Sequence, residues 1–264
     1  MAVNRGPIIS AQGVGKVFGA GSQRTQALDE VSLDIQSGEF ISIIGPSGCG
    51  KSTLLRIVGD LVEPSTGTVT VKGKTPHKAR LDRDYGIVFQ TPVLYEWRTV
   101  RRNVELPLDV MGVPRAEWGP RAETMLQMVG LKTFAEHYPW QLSGGMQQRV
   151  AIARALVFNP SILLMDEPFG ALDEMTRERL NTELMNIWIH TSATVLFVTH
   201  SIPEAVFLSS RVMVMSPRPG RIDRVVTIDL PRPRTAQTRA TPRFFELITQ
   251  VREGLREDPA VGGA

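Results

Sequence analysis

The run Gly45-Pro46-Ser47-Gly48-Cys49-Gly50-Lys51-Ser52 satisfies the pattern G-x-x-x-x-G-K-[ST] at every fixed position, and Thr53 carries it on into a helix-like stretch ending near residue 58. The apolar run 40–44 precedes it directly, so the pattern stands where a strand hands over to a helix, which is the context such a loop requires. Each residue type has a physical reason to be there. Glycines let successive backbone N–H groups curl around phosphate oxygens, and the helix N-terminus adds positive potential. Lys51 bridges terminal phosphates, and the Ser52 hydroxyl is a ligand for Mg²⁺. The position of Cys49 is read through its backbone, so its thiol carries no role in the loop.

The remaining pattern is that of an α/β chain. Short alternating or apolar runs at 31–35, 40–44, 67–73 and 85–89 predict strands in the first third. Runs 162–165 and 194–198 are unbroken and bounded by polar residues, as strands buried on both faces are. Segments 117–129, 146–158 and 176–189 carry apolar residues at three- and four-residue spacing, including Leu180, Leu184, Ile187 and Trp188, and predict helices. The reading is an α/β core with an antiparallel β portion at about 7–94 and 156–230, and a helical insertion at about 95–155. A tail at about 231–264 ends in a helix with Phe244, Ile248, Val251 and Leu255 on one face, expected to dock on the core. With 264 residues and 42% hydrophobic composition, one domain spanning 1–264 accounts for the whole length.

A second set of acids and a second anion-binding device accompany the loop. Ile162-Leu163-Leu164-Met165-Asp166-Glu167 is a buried strand ending in two carboxylates, delivered where open α/β sheets bind ligands. Asp166 is the candidate to hold the metal, and Glu167 to polarise an attacking water as general base. Leu142-Ser143-Gly144-Gly145-Met146-Gln147-Gln148-Arg149 opens a helix with exposed N–H groups, a second cradle that one nucleotide hardly needs.

The L-S-G-G-x-Q-Q-R string resembles the signature motif of the ATP-binding cassette (ABC) ATPases, and the resemblance extends from about residue 8 to 256. It implies a P-loop NTPase core carrying an antiparallel β subdomain and a helical subdomain, with ATP and Mg²⁺ as nucleotide and metal. Gln90 resembles the glutamine that contacts Mg²⁺ and senses cargo through the membrane partner. Ala171-Leu172-Asp173 resembles the D-loop, and His200 in Val198-Thr199-His200 the switch histidine that reads the γ-phosphate. Phe18 stands where the family places an aromatic on adenine, although tyrosine is usual there and a core phenylalanine looks the same in sequence. In this family two nucleotide-binding domains pair head to tail, so Ser143, Gly144 and Gly145 would serve the nucleotide of a second subunit, identical or different.

The organisation selects a transporter subunit within that family. About 90 residues separate the loop from the signature with no heptad pattern, unlike the long coiled coils of chromosome-type members. Residues 91–100, the run Asn103-Val104-Glu105-Leu106-Pro107-Leu108 and the ending Leu230-Pro231-Arg232-Pro233-Arg234 resemble the importer branch for nitrate, sulfonates and taurine. What this implies is a motor on the cytoplasmic face of the inner membrane, bound to transmembrane permease subunits, serving a solute-binding protein indirectly, and not binding nucleic acid. The alternative is a soluble non-transport ABC ATPase acting on nucleic acid or ribosomes. Trp97 and its neighbours read either as an interface or as a cover for the helical lobe.

Composition sets outer bounds. Thirty basic against 27 acidic residues give a net charge of +3, too even to assign an anionic partner, and Arg218, Arg221, Arg224, Arg232, Arg234, Arg239 and Arg243 read as a solvated charged surface. The single cysteine excludes an intrachain disulfide. Residues 1–10 lack the apolar core of a secretory signal, and no apolar run approaches the roughly 20 residues needed to span a bilayer.

Overall fold

The computed structural model describes residues 6–256; the outermost residues of the expected 1–264 domain lie outside the described residues. In chain order the elements are β1 (Ile9–Phe18), β2 (Thr25–Ile35), β3 (Phe40–Ile44), α1 (Lys51–Val58), β4 (Thr66–Val71), α2 (Pro76–Leu81), β5 (Tyr85–Val88) and α3 (Val100–Val110). They continue with α4 (Arg115–Met128), α5 (Gly144–Leu156), β6 (Ile162–Asp166), α6 (Glu174–Thr191), β7 (Thr194–Val198), α7 (Ile202–Leu208), β8 (Arg211–Met215), β9 (Ile222–Thr227), α8 (Ala236–Arg239) and α9 (Pro242–Gly254). They group into two compact units, one of residues 1–84 with 194–264 and one of residues 85–193.

The first unit holds two β systems. β2, β1 and β4 form an antiparallel sheet in that order, in which Ile9 lies opposite Ile35 on one side and Val71 on the other. β1 slips register against β2 at three points between Ala11 and Val17, so its later half does not follow simple alternation. β3 pairs in parallel with β7 and with β8, and β9 closes this side antiparallel to β8. All five residues of β3 and all five of β7 are buried, which explains why they are apolar except at Ser42 and Thr194. α9 packs against α7, β8 and β9 and buries Phe244, Leu247, Ile248 and Val251, so the predicted tail helix docks, but with Leu247 in its face and Leu255 half-buried as the C-cap just past its end.

Two of the arginines assigned to a solvated surface are placed otherwise. Arg234 is only 2% exposed, and its guanidinium donates to the carbonyls of Val206, Phe207, Ser209 and Leu230. Three of these acceptors are carbonyls at the end of α7 that a helix leaves unpaired, and a buried fork of N–H donors satisfies them. Arg232 adds a bond to Leu208 O at 3.0 Å. Burial pushes the Arg234 guanidinium down to about 9, which leaves it charged at neutral pH.

The second unit joins the parallel pair β5 and β6 to four helices. All five residues of β6 are buried. α3, α4 and α5 pack on one another as the helical part expected between residues 95 and 155. Asn103 is fully buried, accepts from Tyr95 N and donates to Tyr95 O, Arg98 O and Thr99 O, so one amide shapes the loop that carries the exposed Tyr95 and Trp97 rings. These two rings stack at 4.9 Å between centroids.

Candidate functional site

In the first unit the loop between β3 and α1 has the backbone its sequence demanded. Gly48 and Gly50 have φ of +76° and +108°, conformations that side-chain-bearing residues rarely adopt. A Cβ on Gly50 would also stand 2.6 Å from Leu28 Cδ2 and 2.8 Å from Ala27 O. Gly50 is the N-cap of α1 and supplies no side-chain cap, so the helix presents its first N–H groups to the loop. Lys51 is 6% exposed, and its Nζ donates to Gly45 O and Pro46 O, both at 2.9 Å. The ammonium therefore sits across the loop, where a phosphate oxygen would meet it along with the N–H groups. Pro46, Ser47 and Gly48 are exposed, while Ser52 and Thr53, on the first turn of α1, are half-buried.

Cys49 is 1% exposed with its Sγ 3.9 Å from Lys51 Nζ. Burial pushes its thiol up, and the adjacent Lys51 charge only partly offsets this. Phe18 ends β1 with 42% exposure, which removes the core-phenylalanine reading, and the Lys16 ammonium lies 5.0 Å from its ring centroid. A cavity of about 800 Å³, which Phe18 does not line, is bounded by residues of β1 and β2 that include Lys16, Val17, Gln26 and Leu28. Leu28 is the same side chain that touches Gly50. His200 is exposed just past β7, and the neighbouring Thr199 N–H donates to Ile43 O at 3.2 Å, next to the strand end that feeds the loop.

One contact of this loop escaped the sequence reading. Arg218, in the turn between β8 and β9, donates to Gly48 O through Nε at 3.1 Å and through Nη2 at 2.9 Å. In the same turn Gly220 donates to Ala27 O and accepts from Asp29 N, both at 3.0 Å. A Cβ on Gly220 would lie 2.0 Å from Cys49 O. The R-P-G string at 218–220 is the signal that was available, since only glycine allows a backbone so close to another.

In the second unit the register Val88↔Met165 puts Gln90 and Asp166 just beyond, or at, the carboxyl ends of two neighbouring parallel strands. Asp166 is 6% exposed and Gln90 exposed. Glu167 follows with φ of +46°, a left-handed backbone that a non-glycine residue keeps only where its surroundings hold it, and such residues cluster at functional sites. α5 opens on Ser143, whose side chain accepts from Met146 N at 3.3 Å, with Ser143 and Gly144 exposed and Gly145 buried. A Cβ on Gly145 would stand 3.3 Å from Thr176 Cγ2, a tight contact that the Thr176 side chain would have to yield to by a few tenths of an ångström. Asp173 is the N-cap of α6 and accepts from Thr176 N at 3.0 Å; that bond holds its carboxyl below the usual range.

The helix that carries the signature also holds the segment around Gln90. Gln148, 2% exposed, donates to Phe89 O at 3.2 Å, and Arg154 donates to Pro92 O and Val93 O at 2.7 and 2.8 Å. Sequence reading gave these two residues no role, because an interior glutamine and an arginine on a helix look like ordinary helix formers. Within this unit the Gln90 amide oxygen and the Asp166 carboxylate are both oxygen donors, the kind of group that fits a hard cation such as Mg²⁺, which keeps water and substrate phosphates among its ligands.

Known proteins resemble this chain along most of its length. The family model described as ABC transporter matches residues 28–170. The chain is 48% identical over 242 residues to the taurine import ATP-binding protein of Rhizobium johnstonii, covering 89% of this chain and 91% of that one. It is 45% identical over 236 residues to the nitrate import ATP-binding protein of Synechocystis sp., covering 87% and 88%. Among solved structures, the dimeric post-hydrolysis state of an ATP-binding cassette bound to ADP and Pi superposes with a TM-score of 0.74 at 39% identity, covering 84% of this chain and all of the other.

Proposed function

Because this chain belongs to the ABC transporter family, we propose that it is the ATP-hydrolysing subunit of an importer for a small anionic or zwitterionic solute of the nitrate, sulfonate or taurine kind. The observation that carries this reading is the loop 45–53, where left-handed glycines, an uncapped helix N-terminus and the Lys51 ammonium converge as a cradle for the phosphates of ATP. Phe18, exposed at the end of β1, offers a ring for the adenine to stack on.

Lys51 and the N–H groups of residues 48–53 bind and orient the β- and γ-phosphates. Ser52, Gln90 and Asp166 are the residues that would ligate Mg²⁺, and the metal would supply neutralisation of charge developing on the phosphate oxygens. Glu167 orients the attacking water and takes its proton, and His200 meets the γ-phosphate. Catalysis in such a site is positioning and charge stabilisation, with no covalent intermediate.

Ser143, Gly144 and Gly145 serve the nucleotide of a second cassette, in a head-to-tail pair with Asp173 beside the join. The exposed N-terminus of α5 supports this, as does the dimeric ADP-bound relative. Both units act as one nucleotide-binding domain. The partners that carry the solute are transmembrane permease subunits. Supporting this are the importer names of the relatives and the stacked, exposed Tyr95 and Trp97, with Trp97 at 74% exposure. Among the described residues no helix is long and apolar enough to cross a membrane. Bound to those permease subunits, the chain would sit peripherally on the cytoplasmic face of the inner membrane.

Affinity purification of the tagged chain from its native cells in mild detergent tests the reading. Recovery of a multi-spanning membrane protein is expected, and ATPase stimulation by DNA or ribosomes without any membrane partner would overturn it.

A further inference from the structure

The segment from the end of β7 into α7 holds a buried polar arrangement that the proposed chemistry does not use. Thr199 and Glu204 are 2% and 3% exposed. Thr199 Oγ1 donates a short hydrogen bond to the Glu204 carboxylate and accepts one from Ser201 N–H at 3.0 Å. The Thr199 backbone N–H is itself anchored on Ile43 O at 3.2 Å. Ser201 is the N-cap residue of α7, yet its side chain makes no capping bond. The first turn of the helix is held instead by Glu204, reaching back five positions to Thr199.

Between these anchors sits His200. A threonine hydroxyl that accepts from the N–H two residues on closes a turn around the intervening residue and fixes its φ and ψ. Thr199 points inward to a carboxylate, Ser201 is tied to Thr199, and the residue between them is exposed. Burial strengthens the arrangement, because an O–H donated to a desolvated carboxylate is among the stronger hydrogen bonds a protein forms.

We propose that Thr199 and Glu204 form a buried latch that fixes the backbone of His200 and thereby the direction of its imidazole toward the terminal phosphate. Both are positioning residues for hydrolysis. The inference rests on the reading of His200 as the residue that meets the γ-phosphate. A merely structural bond would stabilise α7 without touching turnover, and the two roles separate in kinetics.

The test uses the full chain as Thr199→Val, Thr199→Ser, Glu204→Gln, His200→Ala and the Thr199→Val/His200→Ala pair, with kcat, ATP affinity and thermal midpoint measured for each. Thr199→Val keeps the shape and removes the hydroxyl. It is expected to lower kcat about tenfold with ATP affinity within about twofold, and Thr199→Ser, which keeps the hydroxyl, to recover most of the rate. In the His200→Ala background the valine should add no further loss, since the latch acts only through the histidine. Glu204→Gln, whose amide oxygen still accepts the bond, should fall between wild type and Thr199→Val, and it carries the test alone if the valine variant does not fold. Wild-type kcat in Thr199→Val and Glu204→Gln, or a loss that multiplies with that of His200→Ala, overturns the latch. Wild-type kcat in His200→Ala would overturn the reading of the histidine itself.

Discussion

Gly220→Ala adds one methyl to the turn between β8 and β9, and its effect can be worked from a single distance. The new Cβ would stand 2.0 Å from Cys49 O, and relieving that to the 3.4 Å where ordinary contact begins requires movement of about 1.4 Å. Gly220 does not have left-handed φ, so the methyl itself is the whole perturbation. The turn cannot easily retreat, because Gly220 is bonded to Ala27 O on one side and Asp29 N on the other. The movement therefore falls on residues 48–50, whose N–H groups meet the phosphates. A misplacement of about 1 Å in a positioning group costs about 10²-fold in rate, so kcat/KM for ATP should fall between about tenfold and a hundredfold. Overpacking of this kind should also lower stability by about 1–3 kcal/mol. Steady-state ATP hydrolysis and urea unfolding read the two effects separately. Loss of stability with kcat/KM unchanged would refute the claim that this turn sets the phosphate loop.

Two further outcomes test other parts of the structure. Arg234→Met should destabilise the chain by about 3–5 kcal/mol in urea unfolding, because it strands buried carbonyls at the end of α7, whereas a solvated surface arginine would change it by less than about 0.5 kcal/mol. Hydrogen bonds from Lys74 and Lys78 hold the Asp82 carboxyl down to about 2, below the value of about 3.9 expected of an unfolded chain. The folded state gains from this above about pH 4 and loses it as pH falls toward about 2, so Asp82→Asn should flatten that part of the acid unfolding curve; an unchanged curve would contradict it.

The parts legible in sequence were those in which backbone geometry or double-sided burial forces residue type. The loop 45–53 was readable because its glycines answer to left-handed φ and to close approaches by Leu28 and Ala27. β3, β6 and β7 were readable because strands buried on both faces are apolar at nearly every position, with Ser42, Asp166 and Thr194 the exceptions. β1 was not, since Gly13 and Gly15 and three register slips break the alternation a strand normally shows. β8, with an arginine at its head, and the short α7, opened by Ile202-Pro203, left no periodic stretch long enough to read. The burial of Arg234 was invisible for a different reason. An arginine among prolines has the composition of a surface turn, and it is the end of α7, brought close by the fold, that gives its guanidinium most of its acceptors. The grip of Gln148 and Arg154 on residues 89–93 is equally a matter of tertiary contact, because no spacing in sequence announces which loop a helix will hold.

The central claim is that ATP is bound here and hydrolysed with Glu167 as the base, between two cassettes. Its most direct measurement is the Glu167→Gln variant, assayed for ATP turnover and for molecular mass in solution with ATP and Mg²⁺ present. The account predicts that turnover falls by about 10² or more while an ATP-bound dimer accumulates. A variant that hydrolyses ATP at the unmodified rate and stays monomeric would contradict it.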